Sequence, residues 1–201
     1  MKVIEVGDNT VGSWLAEHGS VVGFTDDIPD SEERERYVLD TARAIFNKHG
    51  GFVRTLILRT GNHPKITKLM TITLDVPYEL ADEVPVIIQA MASSVKARQL
   101  YLCMETWYSV VSREEGDKIF AGEAPRIQPR LDPSRKEAMM VTSEDAFRLP
   151  PIRSWKAEIT RDAKGKPTLH PWESFPMQSG RMVHLLPPSA YIKPGERMPQ
   201  T

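Results

Sequence analysis

Four residues of this chain carry side chains whose types and spacing could make a site: Glu105, Trp107, Arg135 and Glu137. The first two lie in Gln99 to Val111, a run rich in aromatic and β-branched residues and free of Gly and Pro, which predicts a central strand. The two-residue period puts Glu105 and Trp107 on one face with Tyr101 and Cys103, and Leu100, Leu102, Met104 and Tyr108 on the other. Large side chains on both faces place that strand in the middle of a sheet. A carboxylate in such a row is costly unless it is paired or hydrogen-bonded, so Glu105 must find a cation, a solvated cleft or the margin of the core. Arg135, just before a strand expected over 136–141, could grip Glu105 or Glu137 through a bidentate contact. Alternatively all four residues line a cleft, with Trp107 as a stacking platform, Arg135 as an anion contact and the two glutamates as acid-base groups. Structural pairing is the preferred expectation.

The same residues carry a resemblance. Glu105-Thr106-Trp107, then Pro129, Arg130, Asp132, Pro133, Arg135 and Glu137 running into Val141, resembles a group of uncharacterised proteins from phages and bacterial mobile elements. Their shared pattern is a strand ending in a Glu-x-Trp-like cluster, then a loop closing on Pro-x-Arg-x-Glu. The similarity spans residues 78–160. It implies a phage or mobile-element origin and no particular reaction.

Other chemistries find little footing. No glycine-rich phosphate loop, His-Glu-x-x-His, Gly-x-Ser-x-Gly or EF-hand pattern occurs. His18, His49, His63, His170 and His184 are scattered without metal-ligand spacing, so no metal and no cofactor is expected. Asp26, Asp27 and Asp30 could hold a hard cation, but acids before a helix start are what its dipole favours. The lone Cys103 excludes a disulfide framework and reads as a buried thiol. With 26 Lys plus Arg against 27 Asp plus Glu, the net charge of -1 gives no field for nucleic acid or a membrane surface. A local basic patch of Arg126, Arg130, Arg135, Lys136, Arg148, Lys164 and Lys166 is diluted by Glu114, Glu115, Asp117 and Glu123. Nucleic acid is therefore a disfavoured partner. No apolar run reaches the ~20 residues of a membrane span, and Met1 to Asp8 lacks a signal-peptide core. The expectation is a soluble protein of the cytoplasm, the host's if phage-encoded.

The elements that must position these residues are partly legible. Residues 1–28 read as short strands or an arm, because Gly7, Gly12, Gly19 and Gly23 interrupt the apolar positions. Asp30 as N-cap, apolar Val38, Ala42, Ile45 and Phe46, and Gly50-Gly51 after Lys48 and His49 predict a helix. Phe52–Thr60 and Ile66–Leu74 read as a hairpin, and Val84, Ile87, Ile88, Met91, Ala92 and Val95 as a second helix. If the strands flanking that helix are adjacent and parallel, they form a right-handed crossover. Ser112 to Arg135 reads as a long loop. Strands are expected over 136–141 and 152–160, with a turn at 161–167 and a hairpin partner over 168–172. A short last strand over 181–186 would precede a proline-rich tail, 187–201.

These elements predict one α+β domain over 1–186, with a mostly antiparallel sheet of about five to seven strands and two amphipathic helices on one face. The favoured function is a non-enzymatic interaction protein that binds a host or virion protein, with Trp155, Trp172 and Phe175 as candidate interface residues. The alternative is an enzyme or binding protein for a phosphate-containing small molecule or nucleic acid. The small net charge permits a homo-oligomer without requiring one.

Overall fold

The computed structural model of the chain describes residues 8–60, 67–77, 80–81, 83–125, 132–175, 185–187 and 190–191. Elements run in the order α1 (Asp8–His18), β1 (Gly19–Asp26), α2 (Ser31–His49), β2 (Thr55–Thr60), β3 (Lys68–Leu74), α3 (Val84–Ser94), β4 (Gln99–Tyr108), α4 (Arg113–Phe120), β5 (Lys136–Asp145), β6 (Ile152–Arg161), β7 (Pro167–Leu169) and β8 (Glu173–Phe175). The fold is α+β. Its sheet has strand order β1-β3-β2-β4-β5-β6-β7, with β8 also on β6, and every described pair is antiparallel.

The predicted central strand sits in the middle of the order, and its two apolar faces explain why. Leu100 and Leu102, with Leu56, Leu58 and Ile72, pack under Ile87, Ile88 and Met91 of α3 and Trp14 of α1. Tyr101 and Cys103, with Ile57, Leu69 and Val141, pack under Val38 of α2. Farther along the same face, Ala42 and Phe46 meet Met139, Ala157 and Ile159. The helices α2 and α3 therefore cover opposite faces rather than sharing one, as a strand apolar on both sides requires. Phe46 is 1% exposed, and such a side chain stabilises the fold by about 3–5 kcal/mol relative to alanine. Cys103 is fully buried, and burial pushes its thiol up to about 12, so it is inert.

Helix α2 begins and ends where its sequence says. Asp30 accepts hydrogen bonds from the amides of Glu32 and Glu33 at 3.0 and 2.8 Å. At the other end Gly50 adopts φ +69° and donates its amide to the Phe46 carbonyl at 2.7 Å, a left-handed cap that glycine enters without a Cβ penalty.

Several parts of the chain bear on what was expected of them. Of residues 8–26, β1 is a short strand, one of the two forms expected there, whereas α1 is a helix that was not expected, and Gly19 at their junction is structural: a Cβ there would lie 2.9 Å from Leu15 Cδ2 and 3.2 Å from the Thr73 carbonyl. The expected loop contains α4, capped by the Ser112 hydroxyl on the Glu115 amide at 3.2 Å and braced by Glu114–Lys118 at 2.8 Å. Its apolar residues are too few to show a helical period. Strands β3 and β4 are parallel, since both run antiparallel to β2, but β2 lies between them, so the α3 connection passes over an intervening strand. The expected strand 181–186 falls mostly outside the described residues. Leu185 and Leu186 are described, as buried core without strand geometry. Beyond them Ala190 is buried and Tyr191 packs on the same core.

Candidate functional site

The four residues singled out by their chemistry share one face of the sheet, beside the C-terminal end of α2. Antiparallel register sets Trp107 opposite Glu137 and Glu105 opposite Met139, so all three point the same way as Tyr101 and Cys103. The expected Arg135 grip on a glutamate is replaced by two other contacts. Arg135 stacks over the half-exposed Trp107 at 4.6 Å from the ring centre, a cation–π pair. Glu137 is held instead by Arg161, which donates Nε to Oε2 at 2.9 Å and Nη2 to Oε1 at 2.7 Å. Arg161 reaches it because β6 carries it past the end of the β5 pairing. Asp132 does turn work as expected: its carboxylate accepts the Ser134 amide and hydroxyl at 2.8 and 2.7 Å.

Glu105 lies against Gly51, where an added Cβ would sit 3.6 Å from Oε1. That oxygen is buried and has no hydrogen-bond partner among the described residues. Burial pushes the Glu105 carboxyl above the usual glutamate range; the Phe52 amide and Arg161 oppose the shift, and Glu137 adds to it. A carboxyl in this state keeps its proton to higher pH than an exposed one.

The remaining sequence candidates lie elsewhere in the fold. Trp155 is 8% exposed and belongs to the α2-side core, and Trp172 packs partly buried against it. Phe175 lies on β8 opposite Ser154. Lys136 pairs with Glu158 at 3.1 Å and Arg148 with Glu35 at 2.7 Å, whereas Arg126 and Arg130 lie outside the described residues. The three early aspartates are also engaged. Asp26 meets Lys68, Asp27 is gripped by Arg59 at 2.9 and 2.6 Å, and Asp30 caps α2.

Two features were not found from the sequence. At the N-terminal end of α2, Glu35 accepts from both Arg148 and Arg153 at 2.7 Å, while buried Arg34 lies 3.6 Å from Asp27. Tyr101 adds its hydroxyl, which accepts from Gln99 Nε2 at 2.9 Å, and burial pushes that phenol up to about 12. This network fixes α2 to the strand ends. Its partners are up to 118 residues apart, and no local pattern encodes that.

The second feature is β1. It stands at one end of the strand order, paired with β3 and with no second strand beside it among the described residues. Val21, Val22 and Phe24 are 49%, 64% and 61% exposed. On the α2 side of the same edge, half-exposed Tyr37 and Ile45 flank a cavity of about 60 Å³ that reaches Thr25 and Leu69. Isolated exposed apolar side chains are ordinary, but a cluster on an open strand edge is a contact surface in waiting.

No protein-family model, curated protein or solved structure matches this chain. Among the described residues no helix is long and apolar enough to cross a membrane.

Proposed function

We propose that this chain is a non-enzymatic protein-binding module whose contact surface is the β1 edge. The observation that carries the proposal is the exposed apolar trio Val21, Val22 and Phe24 on a strand whose outer side has no described neighbour. An open edge offers backbone donors and acceptors to an incoming strand, and apolar side chains beside it supply the affinity. Tyr37 and Ile45 extend the apolar margin on the opposite face of the sheet. The phage and mobile-element resemblance makes a host or virion protein one partner class to test. The test compares proteins recovered by the wild-type chain with those recovered by a Phe24→Lys chain of unchanged circular dichroism. Recovery that depends on Phe24 supports the reading; recovery indifferent to it counts against the β1 edge.

A second reading rests on Glu105. Its unpartnered oxygen and raised carboxyl, beside Trp107, Arg135 and Glu137, suit a ligand that brings a hydrogen-bond donor, in an enzyme or binding protein for a phosphate-containing small molecule or nucleic acid. The Arg135–Trp107 stack would be its anion and base contact. Calorimetric titration with nucleotides would test it, and heat lost in Glu105→Ala but kept in Phe24→Lys would favour this second reading over the first.

A further inference from the structure

Resting on the protein-binding reading, we infer that the occupant of the β1 edge is a second copy of β1, paired antiparallel about a two-fold axis. An antiparallel strand can pair with its own copy only if its sequence tolerates inversion, because residue i must suit residue j and j must suit i. Gly19 to Asp26 reads Gly-Ser-Val-Val-Gly-Phe-Thr-Asp. With the axis between Val22 and Gly23, Val21 faces the second copy's Phe24 and Ser20 faces its Thr25. Val22 then faces Gly23 and Gly19 faces Asp26. Apolar meets apolar, hydroxyl meets hydroxyl, and each bulky or charged end meets a glycine.

The geometry of the strand supports that register. Val21 pairs with Ile72 and Phe24 with Met70, and a register shift between Val21 and Gly23 is what sets these two residues, three apart, on one face. Across the axis, two Val–Phe pairs would therefore lie side by side on the same face, in the cross-strand positions where apolar pairs stabilise a sheet. Charge agrees. The strand has no Lys, Arg or Pro, the residues that commonly guard an edge against pairing. Its one charge, Asp26, is already met by Lys68 of the same chain. The two copies of Asp26 would sit at opposite ends of the ladder, about 24 Å apart at strand rise, beyond the Debye length at physiological salt.

Light scattering on the eluting chain tests this with a pair of charge variants. The wild-type chain is expected at twice its 22.7 kDa mass. Val21→Glu alone and Phe24→Lys alone are each expected at the single mass, and an equimolar mixture of the two should return to the double mass, since the new glutamate faces the new lysine across the axis. A single-mass wild type, a double mass in either variant alone, or a mixture that stays single would each overturn the self-pairing. If the wild type is single but binds a different protein that Phe24→Lys loses, self-pairing falls and the protein-binding reading stands. If no protein binds through β1, both fall. Should a variant lose its circular dichroism, the wild-type chain decides alone, by whether its mass doubles with concentration or stays single.

Discussion

Arg161 grips Glu137 through two hydrogen bonds, at 2.9 and 2.7 Å, and by doing so leaves the neighbouring Glu105 without a guanidinium of its own. Burial raises the Glu105 carboxyl, so the folded chain holds that proton more tightly than the unfolded chain. Its contribution to stability is present below the usual glutamate value and is lost as pH rises through the raised one. Glu105→Gln keeps the shape and removes the charge. We expect it to stabilise the fold at neutral pH by about 1 kcal/mol or less, allowing for partial solvent screening, and to flatten the stability profile above the glutamate range. Urea titrations at several pH values would reveal it. A substantial loss of stability would mean that the ionised carboxylate is structurally needed.

Glu35 behaves differently because it has two cations. Its side chain is 7% exposed and holds Arg148 and Arg153, which are 25% and 40% exposed. Glu35→Ala should cost about 2–3 kcal/mol, less than a fully buried pair because the stranded arginines can reach water. Glu35→Gln, which retains an acceptor, should cost less than alanine. Equal losses would remove the hydrogen bonds as the cause.

On the other face of β5, Glu144 is 1% exposed and accepts the Leu185 amide at 2.6 Å and the Tyr191 hydroxyl. Burial, with Glu144 beside it, pushes the Tyr191 phenol well up. Tyr191→Phe strands one carboxylate oxygen and should cost about 1–3 kcal/mol. Limited proteolysis is the check: cleavage near residues 185–191 should accelerate in the variant while β4 and β5 stay protected. Uniform acceleration would show a global effect instead.

Gly50 holds φ +69° at the end of α2, with Pro167 3.5 Å from where a Cβ would stand. The neighbouring space is adequate, so the cost of Gly50→Ala is conformational, about 1 kcal/mol or ~2–4 °C in Tm. Gly122, at φ +76° with open space around it, should cost a similar amount on the same change. A stable Gly50→Ala chain would argue that the cap can adopt another form.

Local signals made much of this fold readable. Asp30, the α2 periodicity and Gly50-Gly51 marked one helix, and Val84 to Ala92 another, because caps and spacing act within a few residues. The double apolar face of 100–104 marked a central strand, but both helices were expected on one face, and only the packing shows them on opposite sides. Helix α4 was obscured because only Ser112 and Glu115 announce it, without an apolar stripe. Glu105, Trp107 and Glu137 could be placed on a common face from strand parity alone. Which arginine meets which glutamate could not, since β6 delivers Arg161 from 24 residues beyond Glu137. The β1 edge was hidden among glycines that look like loop punctuation until Thr73 and Leu15 show why Gly19 must be small.

The most direct test of the β1 edge is amide hydrogen exchange across Gly19–Asp26 in the wild-type chain, followed from dilute to concentrated solution. Pairing with a second copy should slow the outward-facing β1 amides as concentration rises, while the amides of Gln99–Cys103 in β4, already flanked by strands on both sides, keep a constant rate. Exchange in β1 that is fast and unchanged across the whole range would contradict self-pairing at that edge.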